Sequence, residues 1–162
     1  MKICVLTLML FQSVAAIAAG PVLSSERYGV IRFGEPLAKA ESLLSEHVLP
    51  AKDKDELACR FVLFQAYPEA KFMVEDGLIT RADVSSKVRN NLNINVGARL
   101  KQVKRAYPMV QIEPHHYDQN GQYLIFKSPD KKTAIVMEVG DGKVTDIRAG
   151  VEDSVEYVEE CL

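Results

Sequence analysis

The chain has 162 residues, with 20 lysines and arginines against 22 aspartates and glutamates, and its formal net charge is −2. No basic run is longer than the pair Lys131-Lys132, so the charge pattern argues against nucleic acid or an anionic membrane surface as a partner. A chain of this length usually folds as one domain and can bury a substantial core.

The first 20 residues predict a secretory signal peptide. They begin with Lys2, continue through an apolar stretch from Ile3 to Phe11, and end in small residues that include Ala16-Ile17-Ala18. The apolar stretch is shorter than the roughly 20 residues that a membrane-spanning helix needs. We therefore expect export, cleavage near Ala18–Gly20, no membrane anchor, and one mature domain over 21–162.

The first half of the mature chain predicts a strand, a helix and three further antiparallel strands. The segments, in order, are Tyr28–Phe33, a helix that starts near Pro36, Leu57–Phe64 and a hairpin over Phe72–Val84. Gly34 can turn the chain before the helix, and Leu37, Ala40 and Leu44 then recur on one helix face. The Asp76-Gly77 pair is typical of a two-residue hairpin turn.

The second half repeats this order. Its segments are Leu92–Val96, a helix after Gly97, Gly121–Lys127 and a hairpin over Val136–Gly150. Leu100, Val103 and Tyr107 form the helix stripe, and Asp141-Gly142 forms the hairpin turn. The last segment, "VEDSVEYVEECL", predicts a final strand or extended stretch whose glutamates are solvated.

The two halves indicate an internal duplication. Matching positions lie 63 residues apart at the helices and 65 apart at the turns. The second half therefore has two additional residues between its helix and its turn. We predict an α+β fold of two tandem βαβββ repeats, about 27–88 and 89–162. Their strands would form one antiparallel sheet, with the helices packed on one face and the other face open. The alternative is a chance likeness between two amphipathic helices that are each followed by a hairpin.

Two cysteines follow the leader, and they predict a structural disulfide. In an oxidising compartment an even pair such as Cys59 and Cys161 is expected to be bonded. Closing a loop of about 100 residues stabilises a fold by roughly 4 to 5 kcal/mol in the chain-entropy model. No Cys-x-x-Cys spacing suggests a redox function.

The loop "IEPHHYDQNGQY" is the first candidate binding site. His115, His116, Tyr117 and Tyr123 combine apolar area with polar tips, which suits a surface that meets a partner. Adjacent histidines in an extended loop point to opposite sides, so we do not expect them to share a metal ion. The alternative is an ordinary solvated loop.

Charged residues of the two hairpins form the second candidate. Arg81 and Asp83 in the first hairpin match Asp146 and Arg148 in the second, with the signs exchanged. Strand alternation places the four side chains on one face of the sheet, where they would pair across the halves or present a mixed-charge binding patch. The alternative is a set of solvated positions that form weak surface pairs.

Catalytic motifs are missing from the sequence. None of the serines has a Gly-x-Ser-x-Gly setting, and the nine glycines form no phosphate-binding loop. We therefore expect no enzyme activity, cofactor or metal. The alternative is an unrecognised hydrolase whose paired carboxylates are distant in the chain.

The segments "GVIRFGEPLAKAESLL", "CRFV", "PHHYD" and "IRAG…VEYVEEC" resemble small periplasmic proteins of Gram-negative bacteria. The strand, the G-x-x-L-x-x-V/A helix and the antiparallel strands, present twice, also resemble the beta-lactamase-inhibitor-protein-like fold. Outer-membrane assembly lipoproteins of the SmpA/OmlA type share that fold in single copy. This chain has no lipobox, and no target-contacting residue of the inhibitor is matched, so the resemblance concerns the fold and the periplasmic location alone.

These features predict a monomeric, inhibitor-like binding module in the periplasm. It would bind a protein partner of the cell envelope through the open sheet face and the adjacent loop. The alternatives are a small-ligand or glycan-binding protein of lectin-like type and an accessory protein of envelope assembly.

Overall fold

A computed structural model describes residues 20–161, which form a mixed α+β fold. The strands are β1 (Val22–Leu23), β2 (Arg27–Tyr28), β3 (Ile31–Arg32), β4 (Glu35–Pro36), β5 (Cys59–Val62), β6 (Ala70–Glu75), β7 (Leu78–Val84), β8 (Arg89–Asn90), β9 (Gln111–Pro114), β10 (Gln122–Lys127), β11 (Thr133–Gly140) and β12 (Lys143–Val151). The helices are α1 (Leu37–Leu44), α2 (Lys54–Ala58), α3 (Leu100–Ala106) and α4 (Glu152–Glu156).

The larger of two sheets has the order β5-β6-β7-β12-β11-β10-β9, with β4 paired to β7. Both predicted hairpins are present in it as β6–β7 and β11–β12. Each tight turn has two consecutive residues at positive φ, 48° and 79° at Asp76-Gly77 and 49° and 71° at Asp141-Gly142. That geometry fits the twist of the strands, which is why the Asp-Gly pairs locate these turns correctly.

The entry to the main helix is held in the same way in both halves. The backbone N–H of Gly34 donates to the carbonyl of Ile79, and that of Gly97 donates to the carbonyl of Val144, both at 2.7 Å. A second pair of bonds, each 2.9 Å long, joins the first residue of each helix to the glycine of the following tight turn. Each helix start is therefore anchored to the hairpin of its own half.

The main core lies between the larger sheet and helices α1 and α3. Ala40 of α1 and Val103 of α3 are buried in it, and the other residues of the two predicted helix stripes pack against it. Phe72, Leu124 and Met137 are sheet residues of the same cluster, each at most 2% exposed. Both main helices therefore cover one face of the sheet.

Helix α4 corrects the prediction that helices cover one face only. Val155 of α4 packs in a second cluster with Ala134 and Val136 of β11, whereas Ile135 and Met137 of β11 belong to the main core. Successive residues of a strand point to opposite faces, so α4 lies on the face that we expected to be open. The segment predicted as a final strand or extended stretch is thus partly helical, and part of that face is covered.

The strands before the two main helices also differ from the prediction. Tyr28–Phe33 contributes only the short β2 and β3 to a second sheet of order β3-β2-β1-β8, which the prediction of one antiparallel sheet did not include. In this sheet β1 and β8 are parallel. The segment Leu92–Val96 forms no strand, because the side-chain amide of Asn90 bonds the backbone N–H and carbonyl of Ile94 and holds a turn.

The predicted disulfide is present. Cys59 and Cys161 are bonded, their Cα atoms lie 5.4 Å apart, and they are separated by 102 residues in the chain. The bond ties the end of the chain to the first residue of β5. Among residues 20–161, no helix is long and apolar enough to cross a membrane. The predicted signal peptide lies, apart from Gly20, outside the described residues.

Candidate functional site

A cleft of about 640 Å³ lies on the face that carries α4. We call it the C-terminal cleft. Its lining residues come from β9 to β12, the loop between β9 and β10, α4 and the segment after α4: Glu113, His116, Tyr117, Tyr123, Ile125, Val136, Arg148, Asp153, Glu156, Tyr157, Val158 and Glu159. Four of the seven predicted binding residues, namely His116, Tyr117, Tyr123 and Arg148, therefore meet at one site.

Tyr123 of β10 forms the floor of the cleft. Its side chain is 4% exposed, and its hydroxyl has no hydrogen bond of ordinary geometry within residues 20–161. Burial and the negative charge of Glu138 raise the pKa of Tyr123, while the nearby backbone of His116 and the guanidinium of Arg148 oppose that rise. The hydroxyl thus remains protonated at neutral pH, and no group within residues 20–161 accepts its proton.

His115 organises the loop beside the cleft. Its ring stacks on Tyr123 with centroids 4.6 Å apart, and its Nδ1 accepts the backbone N–H groups of Tyr117 and Asp118 at 3.1 Å each. The ring proton is therefore on Nε2, which lies 3.6 Å from a carboxylate oxygen of Glu138. The ring of His115, a predicted binding residue, thus makes its contacts within the protein. His116 is exposed at the cleft.

Tyr117 closes part of the cleft mouth. Its side chain is 70% exposed, and its hydroxyl donates to the carboxylate of Glu159 on the opposite wall. This hydrogen bond and the charge of Glu159 raise the pKa of Tyr117. The contact joins the loop after β9 to the C-terminal segment across the cleft.

Two buried arginines hold the wall formed by the C-terminal segment. Arg148, 3% exposed, donates from Nε to the carbonyl of Val155 at 2.7 Å and from Nη1 to the Glu138 carboxylate. Arg81, 4% exposed, donates from Nη1 to the carbonyl of Tyr157 at 2.9 Å. The alternative that both arginines are solvated positions is therefore wrong, since each bonds the backbone of the wall.

The charged residues of the hairpins do not form one patch at the cleft. Arg81 forms an ion pair with Asp83 of its own strand, at 2.7 Å between Nη2 and Oδ1. Arg148 lies opposite Asp83 across the β7–β12 pair, yet its ion pair is with Glu138. Asp146 lines a separate shallow depression of about 330 Å³. Of the hairpin candidates, only Arg148 lines the C-terminal cleft.

Asp146 has a strongly shifted acidity. Its side chain reaches solvent, but surrounding protein atoms reduce its hydration, and this desolvation, with the negative charges of Glu138 and Asp83, raises its pKa to about 6. Arg148 and Arg81 oppose the shift. Because the folded pKa lies above the value in the unfolded chain, the folded protein loses stability as pH rises from about 4 to about 6.

We therefore expect Asp146→Asn to stabilise the protein at pH 8 and to change little near pH 4. A shift of this size corresponds to about 3 kcal/mol, but solvent screening at an exposed position reduces the expected gain to about 1 kcal/mol. Urea unfolding of both proteins at the two pH values measures the difference. A variant that is equally stabilised at both pH values, or destabilised at pH 8, would contradict the assigned cause.

Sequence reading missed most of the second wall of the cleft. The prediction for this segment is a final strand or extended stretch with solvated glutamates. Five of its residues instead line the cleft beside Tyr117, namely Asp153, Glu156, Tyr157, Val158 and Glu159. The one available signal was the pairing of Cys59 with Cys161, which returns the tail to the sheet. Within residues 20–161, no group of three or more histidine, cysteine, aspartate or glutamate side chains is arranged to hold a metal ion.

Comparison with known proteins identifies no relative of this chain. No protein-family model, no curated protein and no solved structure matches the chain at a significant level.

Proposed function

We propose that this protein is a non-catalytic binding module that recognises a protein partner through the C-terminal cleft. The observation that carries this proposal is the Tyr123 hydroxyl on the cleft floor, which is buried and has no acceptor within residues 20–161. Leaving a buried donor unpaired costs about 1 to 3 kcal/mol, and a bound ligand with an acceptor removes that cost. Exposed aromatic residues at the rim, Tyr117 and Tyr157, are of the type that contributes most to protein interfaces.

A binding role also fits the position of the group best suited to acid–base chemistry, which lies outside the cleft. The carboxyl group best suited to accept a proton near neutral pH, Asp146, lines a different depression. Tyr123, inside the cleft, keeps its proton. The cleft thus offers hydrogen-bonding and apolar contacts to a ligand. We propose that these contacts bind a partner protein in the manner of an inhibitor.

We place this function after export, in the periplasm. The disulfide between Cys59 and Cys161 supports an oxidising compartment, and the first 20 residues have the pattern of a signal peptide. The beta-lactamase-inhibitor-protein-like fold and the duplication belong to the same proposal. The matched bonds of Gly34 and Gly97 support a duplication, as does the order β5-β6-β7, which β10-β11-β12 mirrors across the sheet centre. Strand β9 has no counterpart in the first half.

Site-specific photocrosslinking tests the proposal. A photoreactive phenylalanine analogue at Tyr117 should give a protein adduct in the native cell envelope, and the same analogue at Leu49, exposed at 82%, should not. His116→Ala, placed in the Tyr117-labelled protein, should weaken the adduct. Adducts from Leu49 with none from Tyr117 would show that another surface is used. A thermal shift with glycans, without any protein adduct, would favour the lectin-like alternative.

A further inference from the structure

The C-terminal cleft is rich in negative charge at its rim. Its lining includes four carboxylates, those of Glu113, Asp153, Glu156 and Glu159, and one guanidinium, that of Arg148. The guanidinium is already paired with Glu138 beneath the floor. One of the four, Glu156, has a cation partner in Lys127 at 3.5 Å. The floor neutralises none of the other three, so a cation that enters the cleft is attracted by them.

One of these carboxylates has unused acceptor capacity. The Oε1 atom of Glu156 is buried and accepts no hydrogen bond within residues 20–161. Lys127 Nζ is 3.5 Å from it, at the limit of a hydrogen bond, and is held more closely by Glu152. The cleft thus contains a carboxylate, Glu156, whose ion pair with Lys127 is long, and a hydroxyl donor on Tyr123 that has no acceptor within residues 20–161.

Aromatic rings complete the recognition of a planar cation. Tyr117 is 70% exposed and Tyr157 is 62% exposed, and both line the cleft beside the carboxylates. A guanidinium stacks on tyrosine faces and bonds a carboxylate through two parallel N–H groups, which an ammonium group cannot do. The wall that carries Tyr157 is held in place, because Arg81 binds its carbonyl.

We infer that the C-terminal cleft binds an arginine side chain of the partner protein, an inference that rests on the proposed function. The guanidinium donates to Glu156 and to the neighbouring rim carboxylates and stacks on Tyr117 or Tyr157. The main-chain carbonyl of the bound arginine, or of its neighbour, accepts the proton of the Tyr123 hydroxyl. One short segment of the partner then supplies an acceptor to Tyr123 and further donors to Glu156.

Titration of the purified protein with blocked tripeptides tests this inference. The peptides are acetyl-Gly-Arg-Gly-amide and its citrulline and glutamate counterparts, and the readout is the change in backbone amide NMR shifts. The arginine peptide should shift the amides of 113, 115–117 and 153–159. We expect at least about tenfold weaker binding for citrulline, which has nearly the same shape without the charge, as a lost charge-assisted bond predicts. The glutamate peptide should not bind.

Variants separate the two contacts. Glu156→Gln should weaken the arginine peptide about fivefold or more, whereas Glu26→Gln, an exposed carboxylate outside the cleft lining, should not change it. Tyr123→Phe should weaken the peptide but leave methylguanidinium unchanged, because that probe has no carbonyl. Thermal unfolding of each variant confirms that it is folded.

The outcomes distinguish this inference from the function on which it rests. Equal binding of the arginine and citrulline peptides, tighter binding of the glutamate peptide, or no shift within the cleft for any peptide would overturn the arginine assignment. A protein adduct from Tyr117 in that event would leave the binding function standing. Absence of the adduct would remove both.

Discussion

Replacing Cys59 and Cys161 together by serine is expected to lower the free energy of unfolding by about 4 kcal/mol. The bond closes a separation of 102 residues, and without it the unfolded chain regains the conformational entropy of that loop. For a chain of this size the loss corresponds to a fall of roughly 10 to 15 °C in Tm. Calorimetry or urea unfolding without reductant measures it.

Reduction of the unmodified protein supplies the matched control for this double variant. The reduced protein and the serine variant should unfold at the same temperature, because both have the same open chain. Serine at both positions leaves no free thiol in residues 21–162, because the third cysteine, Cys4, lies in the predicted leader. A loss below about 1 kcal/mol would show that the end of the chain is held by other contacts, chiefly those of Arg81 and Arg148 with the wall.

The turns and helix faces were predictable because local chemistry determines them. At Asp76-Gly77 and Asp141-Gly142 the chain needs positive φ at two consecutive positions, which few residue pairs adopt at low cost. The stripes around Ala40 and Val103 follow the helical period and therefore identify the buried faces. In these cases a few neighbouring residues contain the whole signal.

The covered sheet face was not predictable, because its cause is distant in the chain. Alternation correctly placed Arg81 and Arg148 on one face, but alternation does not show what lies above that face. Their burial depends on carbonyl groups of Val155 and Tyr157, which belong to a segment of low local signal. The apolar alternation of Leu92–Val96 failed for a related reason, since one side chain offers the backbone a competing set of bonds.

In the candidate site, too, local sequence identifies some features and tertiary contacts determine the others. Loop residues were identified by type, since aromatic and imidazole side chains cluster between two strands. Which of them faces a ligand depends on tertiary contacts: the ring of His115 is bonded internally, and Tyr123 is buried as the floor. The carboxylates of the opposite wall, Asp153, Glu156 and Glu159, line the cleft because α4 packs on this face of the sheet.

Arg148→Met should destabilise the protein by about 3 to 4 kcal/mol, because it leaves a carboxylate and a carbonyl without their donor. Arg148 is 3% exposed, and it bonds the carbonyl of Val155 and pairs with the half-buried Glu138. Removing one partner of such a pair costs more than the pair contributes, because an uncompensated charge remains. Urea unfolding at pH 7 measures the loss.

A second substitution distinguishes the lost pair from lost packing. Arg148→Met combined with Glu138→Leu should recover more than half of the loss, because neither charge then remains buried. Arg89→Met, an exposed arginine whose contact is a backbone carbonyl near the start of the described chain, should cost less than about 0.5 kcal/mol. Additive losses in the double variant would show that the bond to the Val155 carbonyl and packing over Tyr123, and not the charge of Glu138, make Arg148 necessary to the wall of the cleft.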